Sequence, residues 1–286
     1  MSITCKASGD LRPGITFWTL RRQSCTPWHR FTPCLTIAVS SPQPFTLVLS
    51  AGFFGFYAHG GFLDALVSSG YRPSAVAGSS AGALIGGCYA AGLEPPEIRA
   101  LLGELRRQHF WDPGPGAGLL RGDRLQRFLA DTLPVHDMSR TRIPVRLVVW
   151  DVRDRKTLVI EHGNLLTAMR ASAAFPFLFQ PVALRGRRLL DGGISDRAAL
   201  SGARDGERVL LHWLPSSSPW RKGASGKSAP ALPEASDVVV DLGSFQRLGP
   251  FRMEAGSQVY DAARERTLRW LDANAARLDA MSLSSR

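Results

Sequence analysis

Short apolar runs and small-residue turns alternate along the chain from Phe45 onward. Phe45–Leu49 follows a proline cluster and predicts a buried strand. Ser50–Gly55 reads as a small-residue loop. Phe56–Ser69 then places Phe62, Leu63, Leu66 and Val67 at helical spacing, and Gly70 closes that helix. Ser74–Ala77 predicts a second strand, Gly78–Gly82 a tight turn, and Ala81–Ala91 a helix of small residues stopped by Gly92. Pro95–Gln108 reads as a helix with prolines in its first turn. The stretch 111–120 is a Gly/Pro loop, and Asp123–Leu133 is an amphipathic helix. Val145–Asp151 and Thr157–Glu161 predict strands, paired as a hairpin around Arg153–Lys156. Leu165–Ala173 predicts a helix that Phe175-Pro176 ends. Arg188–Leu190 predicts a strand end that delivers Asp191-Gly192-Gly193, and Val209–Trp213 another strand. Ser216–Pro233 is rich in Ser, Pro and Gly and reads as a mobile loop; Met253–Met281 contains a long amphipathic helix. Strands alternating with helices argue for one α/β domain with helices on both faces of its sheet.

Composition narrows the picture without redirecting it. With 44% hydrophobic and 21% charged residues, the 286-residue chain is ordinary globular material that can bury a sizeable core. Its net charge of +11 raises nucleic acid and anionic membranes as partners. The arginines are scattered and mixed with acids, as in Arg153-Asp154-Arg155, so a solvated arginine-rich surface is the first reading. Weak attraction to anionic lipid comes second and nucleic acid last. Residues 73–93 carry no formal charge but are diluted by Gly, Ser and Pro73; the uncharged stretch 31–63 is broken by Pro33, Pro42 and Pro44. Neither predicts a transmembrane helix. Residues 1–40 differ from the rest. They hold Cys5, Cys25 and Cys34 and show poor periodicity. They read as a disordered extension or a start assigned too early, with an arginine-containing leader as the other reading. No C-x-x-C pair suggests a zinc site.

Gly78-Ser79-Ser80-Ala81-Gly82 fits G-x-S-x-G. A serine on a sharp strand-to-helix turn is held strained with its hydroxyl exposed, and the small neighbours let strand and helix approach. Ser80 is thus the candidate nucleophile, with Gly78 and Gly82 supporting the turn. An activated serine needs backbone N–H groups for an oxyanion, and Gly52 and Gly55 follow the first strand at the edge where such a turn would lie. It also needs a base. Asp191, ahead of Gly192 and Gly193, is placed by a strand end; His212 and His59 are the histidines to weigh against it.

Three elements in this order, with Arg170-Ala-Ser-Ala-Ala-Phe-Pro-Phe-Leu-Phe-Gln-Pro181 just before the D-G-G, resemble the patatin-like phospholipase family over roughly Phe45–Trp213. The resemblance implies a three-layer α/β/α domain with a mainly parallel central sheet. It covers a catalytic core, 45–213; the extension 1–40 precedes that core, and a loop with a C-terminal helix, 214–286, is expected to pack on the same domain. It also implies a Ser–Asp dyad without a catalytic histidine: Ser80 as nucleophile, Asp191 as proton acceptor, and N–H groups around Gly52 and Phe53 as the oxyanion hole. The loop departs from the family pattern, with Ser50 and Ala51 at its first glycine positions and Phe54 in place of a common basic residue. The function implied is hydrolysis of lipid acyl esters of the phospholipase A, lysophospholipase or acylglycerol type. No cofactor or metal and no nucleic acid is expected; the partner is a lipid or membrane-interface ester. The expected setting is cytoplasmic, with peripheral attachment to membranes as an option. The alternatives are a non-catalytic lipid-binding protein of the same fold and a Ser–Asp–His hydrolase using His212. Phe53, Phe54, Phe56, Phe110, Trp111, Phe175, Phe177 and Phe179 offer apolar material for an acyl groove, and loop 111–120 a cover for it.

Overall fold

The computed structural model describes residues 44–215, 229–232, 237–250 and 252–283. The extension 1–40, the Ser/Pro/Gly-rich stretch 216–228 and Pro233 therefore lie outside the described residues. Contacts divide the chain into Pro44–Ala275 and a second unit made of Met1–Gln43 and Ala276–Arg286. The sheet belongs wholly to the first unit.

Eight strands form this sheet: β1 (Thr46–Leu49), β2 (Ala75–Ser79), β3 (Val145–Asp151), β4 (Lys156–Ile160), β5 (Val182–Leu184), β6 (Arg187–Asp191), β7 (Val209–Trp213) and β8 (Val238–Asp241). The order is β5-β6-β3-β2-β1-β7-β8, with β4 also on β3. The run β3-β2-β1-β7-β8 is parallel, and β4, β5 and β6 add antiparallel pairs. Parallel strands buried on both faces read as continuous apolar runs, and β1, β2 and β7 are buried at every position.

The helices are α1 (Phe56–Ser68), α2 (Ala81–Ala90), α3 (Pro95–Glu104), α4 (Asp123–Thr132), α5 (Leu165–Ser172) and α6 (Gly256–Leu283). The predicted α3 ends early, because Leu105 turns extended and Arg107–His109 forms a separate 3-10 turn. Two strands carried no expectation. β5 has only three residues, too few to show a period, and β8 is the run Val238-Val-Val-Asp241. Helices α1, α2 and α5 cover one face. On the other, Val48, Ala77, Val148, Leu211 and Trp213 pack on Ala198, Ala199 and a 3-10 turn at Leu200–Gly202. Among the described residues no helix is long and apolar enough to cross a membrane.

Pairing around β3 brings two distant strand ends together. β4 and β6 both pair with Val149–Asp151, so they occupy opposite edges of β3. β4 and β2 both pair with Leu147 and Val148, so they also lie on opposite edges. Hence β2 and β6 share one edge and run toward each other. Ser79 ends β2 opposite Val148, and Asp191 ends β6 opposite Val149.

Candidate active site

The strand tips that meet on β3 carry the two residues singled out for chemistry. Ser80 lies between β2 and α2 with φ 54° and ψ −116°, a conformation non-glycine residues rarely hold. Gly82 permits the turn. A Cβ there would sit 2.1 Å from the Leu49 carbonyl oxygen at the end of β1, a backbone atom that cannot yield. Asp191 is buried, its N–H donates to the Ala174 carbonyl, and its carboxylate accepts the Gly193 N–H at 2.7 Å. A Cβ at Gly192 would meet the Val148 oxygen at 2.3 Å and Ser79 Oγ at 2.8 Å. The D-G-G turn therefore presses directly against the foot of the serine turn. A Cβ at Gly193 would touch Ala51 Cβ at 2.7 Å, which brings the glycine loop to the same place.

In that loop, Gly55 N–H closes a turn onto the Gly52 carbonyl, and Ala51 N–H donates to the Arg197 carbonyl. The N–H groups of Gly52 and Phe53 meet no acceptor among the described residues. Phe54 has φ 54° and is seated against Phe53, Phe56 and Phe110, with ring centroids 5.0, 5.4 and 5.8 Å away. The residue that replaces a common cation is thus an aromatic anchor. A cation reaches the loop by another route: the Arg197 guanidinium bonds the Leu214 carbonyl at 2.9 Å and the Ala51 carbonyl at 3.4 Å, stacked over Trp213.

Sequence reasoning missed two supports. Ser172 Oγ, wholly buried, accepts the Ser80 N–H at 3.0 Å and donates to the Val148 carbonyl at 2.6 Å. It lies within the Ala-Ser-Ala-Ala stretch, so the signal was present without a role attached. We expect Ser172→Ala to leave both backbone groups unpaired and lower unfolding stability by about 1–3 kcal/mol. Urea denaturation reads this directly; an unchanged midpoint would mean the bridge carries no weight.

The second support is a buried histidine pair behind the loop. His59 Nε2 lies 2.8 Å from the Ser50 carbonyl, and its Nδ1 lies 2.8 Å from His212 Nδ1. A carbonyl only accepts, so His59 Nε2 carries its proton and His59 Nδ1 accepts from His212 Nδ1–H. His212 Nε2 is then a bare acceptor, buried and without a partner among the described residues. Burial pushes the His59 pKa down to about 4 against the bond to Ser50, and burial with His59 beside it holds His212 well below its ordinary value. The His212 ring stacks on Phe62 at 4.0 Å, and on the sheet His212 pairs with Leu49, with β1 between it and β2.

The aromatic residues divide. Phe56 and Phe110 are core, lining an apolar recess with Leu84, Ile85, Leu105 and Leu129. Cys88 lies in that recess, its thiol pushed up to about 12 by burial. Phe53, Trp111, Phe175 and Phe177 are exposed. Loop 111–120 is stitched down: Leu119 and Leu120 N–H donate to the Phe177 and Leu178 carbonyls, and Gln180 Nε2 bonds the Gly114 and Pro115 carbonyls. No group of three His, Cys, Asp or Glu side chains able to hold a metal ion occurs among the described residues.

This is an α/β protein with a strained serine and a strand-end carboxylate brought together at the C-terminal edge of a mostly parallel sheet. The chain belongs to the patatin-like phospholipase family, whose model matches residues 47–203. Uncharacterized NTE family proteins of Mycobacterium bovis and Mycobacterium tuberculosis are each 34% identical to it over 165 residues, covering 57% of this chain and 46% of theirs. The chain thus spans about half the length of the curated relatives it matches. The crystal structure of VipD from Legionella pneumophila shares the fold, with a TM-score of 0.59 and 15% identity, over 81% of this chain and 67% of that one.

Proposed function

We propose that this chain hydrolyses acyl esters of lipids through a Ser80–Asp191 dyad. The observation that carries the reading is the head-on meeting of β2 and β6, which sets a strained serine beside a buried carboxylate. In the first step Asp191 takes the Ser80 proton as Oγ bonds the ester carbonyl carbon. The oxyanion is received by the N–H groups of Gly52 and Phe53. Asp191 then returns the proton to the departing alkoxide as the C–O bond breaks, leaving the acyl group on Ser80. Water, deprotonated by Asp191, attacks that acyl group and restores the serine. A carboxylate is a weak base for a serine proton, so geometry and desolvation at Asp191 must supply the difference.

Two features support a lipid acyl group as the substrate part. Leu84, whose N–H bonds the Ser80 carbonyl one turn along α2, lines the apolar recess of the core. Its wall has no ionised side chain. Against a triad with His212 stand its full burial, its engagement with His59, and its place two strand spacings, about 10 Å, from β2.

The test is turnover of p-nitrophenyl esters of short and long acyl chains and of a mixed phospholipid panel, with mass spectrometry of a phosphonate-labelled protein. Turnover with the adduct on Ser80 is expected. No turnover and no adduct would move the weight to a lipid-binding protein without catalysis.

A further inference from the structure

Six large hydrophobic side chains are exposed among the described residues, and five of them lie in three segments beside the candidate site. Phe53 sits on the glycine loop, Trp111 and Leu119 on the loop 111–120, and Phe175 and Phe177 just after α5. The segments are joined to one another. The rings of Phe53 and Phe175 are 5.9 Å apart, and the Leu119 N–H donates to the Phe177 carbonyl at 3.1 Å. Phe177 is 88% exposed and has φ 65°, so backbone strain is spent holding an aromatic ring out in water. Isolated exposed apolar residues need no explanation; a joined group of this size does.

Charge decides which partner fits. Residues 50–63 and 173–184 contain no Asp or Glu. Asp112, the single acid of loop 111–120, has its carboxylate occupied by the N–H groups of Gly122 and Arg124. Arginines stand around the group. The Arg107 guanidinium lies 4.4 Å from the Trp111 ring centroid, Arg121 packs against Gly114, and Arg124 bonds the Gln108 carbonyl. Neither Arg121 nor Arg124 is in an ion pair among the described residues. Apolar tips on segments without a free carboxylate, backed by arginines with Glu104 as the one exposed acid beside Arg107, match a bilayer interface bearing negative headgroups.

We propose that Phe53, Trp111, Leu119, Phe175 and Phe177 form a preformed docking rim for an anionic lipid bilayer, with Arg107, Arg121 and Arg124 meeting its headgroups. Because loop 111–120 is bonded to residues 177–180, the rim docks as one body and is not a lid that opens. The inference rests on the lipid-hydrolase reading only for what docking achieves, namely presenting an ester to Ser80. Docking itself is a separate measurement.

That measurement is cosedimentation of the full chain, in wild-type and Ser80→Ala forms, with vesicles of phosphatidylcholine alone and of phosphatidylcholine with phosphatidylglycerol in a three-to-one ratio. Both forms should bind the anionic vesicles more tightly, and salt should weaken the binding. The double variant Phe177→Ser with Leu119→Ser should lower partitioning about tenfold or more. The triple variant Arg107→Gln, Arg121→Gln, Arg124→Gln should lower binding to anionic vesicles by up to about a hundredfold and erase the preference for them. Thermal melts report folding, and hydrolysis of a water-soluble short-chain ester should be unchanged in Phe177→Ser. Binding by wild type and Ser80→Ala that both multiple variants weaken, with no ester turnover, would uphold the rim and sink the hydrolase. Turnover of the soluble ester without vesicle binding, or binding indifferent to Phe177 and Leu119, would overturn the rim. Concentration-dependent dimerisation lost in the Phe177/Leu119 variant, with no vesicle binding, would overturn it in favour of a self-interface.

Discussion

Ser80→Ala should reduce ester turnover by on the order of 10⁶-fold, and Asp191→Asn by about 10²–10⁴-fold, with both variants folded. The asymmetry reflects what each substitution leaves behind. Alanine removes the atom that becomes acylated, so only the N–H groups of the glycine loop remain to favour the transition state. Asparagine keeps an oxygen that can accept the Gly193 N–H, so the D-G-G turn stays as it is. What it loses is the capacity to take a proton. A pH profile sharpens the result: the wild-type rate should rise with deprotonation of one group, and that limb should vanish in Asp191→Asn. Equal residual rates in wild type and Asp191→Asn would mean that another group serves as base. His212→Phe, by contrast, should keep near wild-type turnover at neutral pH.

Acid should destabilise the fold in a window set by the buried histidine pair. In the unfolded chain a histidine takes up its proton near 6.5, but folded His59 does so only near 4. Between those values the unfolded state holds more protons, so falling pH pulls the equilibrium toward unfolding. The stability is fully present above about pH 6.5 and is lost progressively toward pH 4. One such histidine costs roughly 3 kcal/mol across the window, and His212 shifts in the same direction. Against a total of about 5–15 kcal/mol this is a large share. The carboxylates released by acid act lower down. Asp151, for example, is held below its usual range by its bond to Arg187. Denaturant midpoints measured between about pH 7 and pH 4 should show a slope approaching two protons in wild type and one in His212→Phe. Identical slopes would mean that His212 takes up no extra proton on unfolding; a flat wild-type profile would mean that the pair is already charged in the native state.

The elements legible in the sequence were those whose instructions are local. β1, α1 and α2 carry strong apolar runs, and the structure ends α1 and α2 two residues before the glycines Gly70 and Gly92 that close them. The serine turn was legible because its need for small residues is steric and shows as Gly78 and Gly82. What the sequence withheld was pairing. Nothing in Arg187–Asp191 says that it runs antiparallel to β3, or that it shares an edge with β2 rather than lengthening the sheet. The hairpin that makes this possible turns at Arg185 and Gly186, both at positive φ, and its first strand is too short to show a pattern. Ser172 and the histidine pair stayed hidden for the same reason. Each works on a partner far away in the chain, 92 residues for Ser172 to Ser80 and 153 for His59 to His212. Of the aromatic residues, composition alone could not separate Phe56 and Phe110, packed in the core, from Phe53 and Phe177, standing in water.

The collision of β2 and β6 on one edge of β3 also sets an order of events during synthesis. A ribosome-bound chain that has emerged as far as Pro181 already contains the serine turn, the glycine loop and β3, but no Asp191. On the dyad reading, such a nascent chain carries a nucleophile with no base. Full reactivity toward esters then waits until the last antiparallel hairpin closes against β3, so chains that stall before it hold the nucleophile without its base.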